Sequence, residues 1–147
     1  MKLALRTQPA TDATWLDKAA HAVIKARLVT RYPHGGIVIG TRLYQATARK
    51  GVHSTDDWNP ERWHLFDAGG DAAAALERFR EREGNRYDWI GLLPFIGLPG
   101  SDRRRDYCFE LAYYMMTGVY PTRLVTAETL LALIAPVVVD VREVAHA

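Results

Sequence analysis

The sequence predicts an α+β fold, with a central antiparallel sheet or half-barrel packed against helices. Three observations predict it. Short apolar runs bounded by turn residues, MKLALR, HGGIVIG and LYQATA, fall in the first half of the chain. Runs at helical spacing, DAAAALERFRERE, YCFELAYYMMT and TAETLLALI, gather in the second half. No repeat, low-complexity tract or linker divides the 147 residues, so residues 1–147 read as one domain.

The elements follow in order. MKLALR reads as a short edge strand. Thr11 or Asp12 can cap a helix running to about Ala26, in which Trp15, Ala19, Ala22, Val23 and the stem of Lys18 recur at helical spacing. Tyr32-Pro33 breaks the chain. HGGIVIG then makes a strand, Thr41-Arg42 a turn and LYQATA the returning strand. A short strand is expected from Trp63 to Phe66. Asp71 starts a helix that Gly84 closes. Asp88 to Ile96 reads as a short helix stopped by Gly97-Leu98-Pro99-Gly100. A helix follows from about Tyr107 to Thr117, ended by Gly118. Thr126 caps a last helix through Ile134, and VVVDVREV forms a final strand beyond Pro136.

Composition narrows the function. Charged residues are 24% and the net charge is +2, too weak a balance to argue for a nucleic-acid partner. Arg103, Arg104 and Arg105 form only a short local patch. No apolar run approaches the ~18 residues of a membrane span, and the N-terminal apolar stretch is too short for a secretory signal, so the chain reads as made in the cytoplasm. One cysteine, Cys108, rules out an intramolecular disulfide framework and any multi-cysteine zinc site. HxxxH and CxxC spacings are absent, so no metal is expected. GVHSTDD and GLPGSD lack the Lys-Ser/Thr of a phosphate loop, and no other cofactor motif is present. Ser54 and Ser101 have no G-x-S-x-G setting.

Cys108 carries the remaining chemistry. It falls at the start of an expected helix, where unpaired N–H groups and the helix dipole lower a thiol pKa. It also neighbours Phe109, Leu111 and Ala112, and free cysteine is among the most buried residue types. Among the five histidines, His34 stands out: it opens a strand, a rigid mount for a base, directly before Gly35-Gly36. His21 lies inside the first helix, His53 and His64 in or beside loops, and His146 next to the chain end.

In combination, HGGIVIG, YQATARKGV, GNRYDWIG and DYCFE resemble the NlpC-type papain-like cysteine peptidases in circularly permuted form, and small phage- and prophage-encoded members above all. The histidine strand comes first and the cysteine helix last, over roughly Leu3 to Ile134. The resemblance implies a permuted papain-like fold and a Cys108–His34–Gln45 triad. It implies that Tyr87 supports an oxyanion or positions substrate, and that the substrate is a peptide or a cell-wall stem. It also implies an alternative, a fatty-acyl transferase or thioesterase on the same fold. A non-catalytic phage structural or binding module is the reading from another class. Tyr32, Trp89 and Phe109 are pocket candidates, with Trp58 and Trp63 as further cleft walls. Two positions depart from the family pattern: Phe109 replaces a serine after the nucleophile, and Gln45 replaces a glutamate. A Thr41-Arg42 turn pairs Val38 with Gln45 and sets Gln45 four residues along from His34, about 13 Å in a flat hairpin. Twist, a bulge or another register must close that gap, and Thr47 is the fallback third residue.

Overall fold

A computed structural model describes residues 1–8, 15, 18, 19, 22, 31–88 and 105–135. It is α+β. Five strands form one antiparallel sheet: β1 (Lys2–Arg6), β2 (His34–Ile39), β3 (Arg42–Thr47), β4 (Gly51–Thr55) and β5 (His64–Asp67), in the order β4-β3-β2-β1-β5. Three helices are described: α1 (Ala72–Arg82), α2 (Cys108–Thr117) and α3 (Ala127–Ile134). Two-residue strands β6 (Arg86–Tyr87) and β7 (Arg105–Asp106) pair in parallel just before α2.

Alternation along the strands explains the layering. Leu3, Leu5, Ile37, Tyr44, Ala46 and Val52 face a core shared with Ala75 and Phe79 of α1, Phe109, Leu111, Ala112 and Met115 of α2, and Leu130 of α3. Ala4, Val38 and Leu43 point the other way, under Trp63 and Trp58. Helix α2 lies across β2 and β3, with α1 and α3 against it. Its mean position in the core follows from its sequence, in which six of ten residues are buried.

The helix ends match their chemistry. Asp71 caps α1 by accepting from the Ala73 and Ala74 N–H groups, and Gly84 follows at φ 82°. Gly118 ends α2 at φ 74°, and Thr126 caps α3. Other expectations change. MKLALR is an interior strand, bonded to β2 on one side and β5 on the other; its continuous buried run Leu3–Leu5 suits that place better than an edge. Gly40-Thr41, not Thr41-Arg42, makes the hairpin turn, because Gly40 takes φ 61° and Ile39 pairs with Arg42. The strand after Ala48 was missed, since GVHST lacks apolar alternation. Trp15 is 75% exposed, so it does not serve the apolar stripe of the expected first helix. Most of that helix, the Asp88–Ile96 helix beyond Asp88 and the VVVDVREV strand lie outside the described residues.

Candidate active site

The corrected turn closes the gap between His34 and Gln45. Pairing of Ile37 with Tyr44 and Val38 with Leu43 moves Gln45 two residues closer to His34 than the other turn allows. It then stands beside Gly36, where an added Cβ would lie 3.3 Å from the Gln45 Cβ. With no side chain at 36, the Gln45 amide crosses to the imidazole on the same face. His34 Nε2 donates to Gln45 Oε1 at 2.9 Å. Thr47 does not take that place; its hydroxyl accepts from the Lys50 N–H at 3.3 Å.

Cys108 reaches the same strand end from the helix side. The β2–β3 ladder runs no further toward His34 than Ile37↔Tyr44, and the start of α2 packs on the strand beyond it, with the Phe109 ring over Gly35. The Gly35 amide, which follows His34 in the chain, is one of the groups that pull the Cys108 thiol pKa down. The Phe109 and Cys108 backbone amides of α2 act in the same direction. The Tyr107 hydroxyl, at the N-cap, is engaged elsewhere: it donates to Val125 O at 3.0 Å and accepts from the Val125 N–H at 2.9 Å. Arg6, paired with His34 across β1 and β2, adds positive charge.

These groups favour a thiolate, but burial outweighs them. Cys108 is 1% exposed, and burial pushes its thiol up to about 12 against the pull of Gly35, Phe109, Cys108 and Arg6. The helix start therefore does not by itself make a low-pKa thiol, contrary to what its position suggests. Burial in the enclosed site thus favours the neutral thiol.

Phe109 has no exposed surface and packs toward the sheet. An added Cβ at Gly35 would sit 3.0 Å from its ring and 3.0 Å from Leu5. Phe109 fills the space that glycine leaves, and so belongs to the core and not to an open pocket. Tyr32 is buried edge-on against His64 and Phe66 of β5. Trp63 lies 5.5 Å from the His34 ring and carries the Arg6 guanidinium 4.9 Å above its own. Tyr87, on β6, is buried in the cluster that holds Cys108. Trp89 lies outside the described residues.

Two participants escaped the sequence reading. Arg6 is one, the last residue of β1. His53 is the other: it stands on β4 directly opposite Gln45, and Gln45 Nε2 donates to its Nε2 at 3.4 Å. Only the missed strand would have revealed it. Three carboxyls are buried around the start of α2: Asp106 and Glu110, two residues either side of Cys108, and Asp88, whose N–H donates to Asp106 O at 3.2 Å. Asp106 accepts from Arg82 at 3.0–3.2 Å and from Asn85 at 3.1 Å, tying α1 to the strand before Cys108. Among the described residues, no group of three or more His, Cys, Asp or Glu side chains is placed to hold a metal ion, and no helix is long and apolar enough to cross a membrane. Compared with known proteins, the chain matches no family model, no curated protein and no solved structure.

Proposed function

We propose that this chain is a cysteine amidase or peptidase of the permuted papain-like, NlpC type, acting on peptides such as bacterial cell-wall stems, in a phage- or prophage-associated setting. The observation that carries the reading is the His34–Gln45 hydrogen bond at the strand end whose next residue, Gly35, packs against the first turn of the Cys108 helix. Gln45 Oε1 can only accept, so the neutral His34 ring carries its proton on Nε2 and keeps Nδ1 as the basic nitrogen.

The chemistry follows from a neutral thiol. Cys108 Sγ attacks the amide carbonyl carbon as its proton passes to His34 Nδ1. Cys108 and Phe109 N–H groups at the start of α2 are the donors at hand for the resulting oxyanion, with the Tyr87 hydroxyl as a further one. Collapse breaks the C–N bond, and the amine leaves with the proton from His34. Water, deprotonated by the same nitrogen, then attacks the thioester, releasing a carboxylate and restoring the thiol. A glutamine beside His34 brings no negative charge, which fits proton transfer during attack better than a standing thiolate–imidazolium pair.

One observation favours a second reading. Cys108 is 1% exposed, as expected of a packed core thiol in a non-catalytic module. Incubation with purified sacculi and with synthetic stem peptides separates the readings. An amidase releases new amino termini, and Cys108→Ala abolishes release. Transfer of acyl groups from a lipid thioester, with no peptide cleavage, would favour the acyltransferase or thioesterase instead. A chain inert to all of these donors would favour the module.

A further inference from the structure

We infer that His53 is a positioning residue that sets which nitrogen of His34 carries the proton. Three hydrogen bonds connect His53 to His34. Gly51 O accepts from His53 Nδ1–H at 2.9 Å, which fixes the proton of the neutral His53 ring on Nδ1. Its Nε2 is then an acceptor, and it faces the NH₂ of Gln45 at 3.4 Å. Gln45 is thereby turned with its oxygen toward His34, 2.9 Å from Nε2. An oxygen acceptor there requires a proton on His34 Nε2. The two ends of a glutamine amide are nearly the same size, so packing alone discriminates poorly between them. A flipped Gln45 would offer N–H to His34 Nε2 and drive the ring proton to Nδ1, the nitrogen needed as base.

The backbone supports the first link. Gly51 takes φ 67°, and an added Cβ would lie 2.1 Å from Asn85 O, so only glycine fits where this carbonyl is presented. Cross-strand pairing of Gln45 with His53 supplies the second link. Burial, with help from Lys50 and against the Gly51 carbonyl, lowers the His53 pKa, which favours the neutral, accepting ring.

The value of this arrangement for catalysis rests on the proposed role of His34; the tautomer control does not, and the test reads the tautomer directly. Long-range ¹H–¹⁵N spectra of the imidazoles, recorded above the imidazole titration range, distinguish protonated from unprotonated ring nitrogens. His34 in the native chain is expected as the Nε2–H form. His53→Leu, which keeps bulk but removes the acceptor, is expected to bring in the Nδ1–H form. His53→Gln, which can accept through its oxygen, is expected to restore Nε2–H. In a Gln45→Glu background, where both oxygens accept, His53→Leu should leave His34 unchanged. A His34 ring that stays wholly Nε2–H in folded His53→Leu overturns the inference, as does an equal shift in the Gln45→Glu background. Tautomer control without amide cleavage would sink the amidase reading and leave this one standing. Cleavage with an unmoved tautomer would do the reverse.

Discussion

Phe109 shows how one residue changes meaning between sequence and structure. Its place after the cysteine suggests a pocket wall. Its ring instead packs over Gly35, where a Cβ would come within 3.0 Å. The two positions are complementary: the aromatic fills what the glycine leaves, and the fit holds the first turn of α2 against β2. Phe109→Ala is expected to cost about 3–5 kcal/mol of stability, measured by urea unfolding. A loss below about 1 kcal/mol would mean that the ring is not part of the core. Cys108 was legible as a helix-start thiol and His34 as a strand-start histidine, because each sits at an end its neighbours mark. Gln45 was carried by the resemblance, and the register that brings it to His34 was not legible. That register depends on whether the turn is 40–41 or 41–42, a one-residue choice that Gly40's left-handed backbone decides.

At the scale of the element, α2 combines a buried thiol with a buried acid. Glu110 accepts from the Tyr107 N–H at 3.4 Å, serving the helix start. Burial, then Asp88 and Asp106, push its carboxyl up to about 8, against the Tyr107 N–H and Arg82. The folded state therefore holds a proton between about 4.5 and about 8 that the unfolded chain releases. More protons on the folded state means that stability falls as pH rises through that window. Glu110→Gln keeps an acceptor and removes the ionisation. It should leave stability nearly unchanged near pH 5 and raise it by on the order of 1–3 kcal/mol at pH 8. Thermal unfolding at the two pH values checks this, and a variant less stable at pH 8 than the native chain would contradict it. The three described helices were read from sequence to within a residue, because Asp71 and Thr126 mark two starts and Gly84 and Gly118 two ends. Strand β4 was not, because a polar, half-buried strand lacks the alternation that identifies one. Missing β4 meant missing His53.

For the molecule as a whole, the fold is a means of bringing distant segments to one strand end. The first strand supplies Arg6, the hairpin His34 and Gln45, and the late helix Cys108. Asp106 secures the last of these. It is fully buried, bonded to Arg82 of α1 and Asn85, and lies two residues before Cys108. Asp106→Ala would leave the Arg82 guanidinium without that partner and is expected to destabilise the fold by about 3 kcal/mol or more, with Asp106→Asn milder. Chemical unfolding of both variants checks the order; equal and negligible losses would contradict it. The α+β class and the three described helices were legible because they follow local rules. The meeting of the site's residues depends on long-range pairing, which a single sequence encodes only through details of turns.

Capture of an acyl group on Cys108 tests the central claim most directly. The folded protein is mixed with an activated acyl ester, and intact mass is followed with time. A nucleophilic Cys108 assisted by His34 gains one acyl group at that residue. Cys108→Ala should gain none there, and His34→Ala should acylate at least about a hundredfold more slowly. A native chain that never acylates at Cys108, or a His34→Ala variant that acylates at the native rate, would contradict the account.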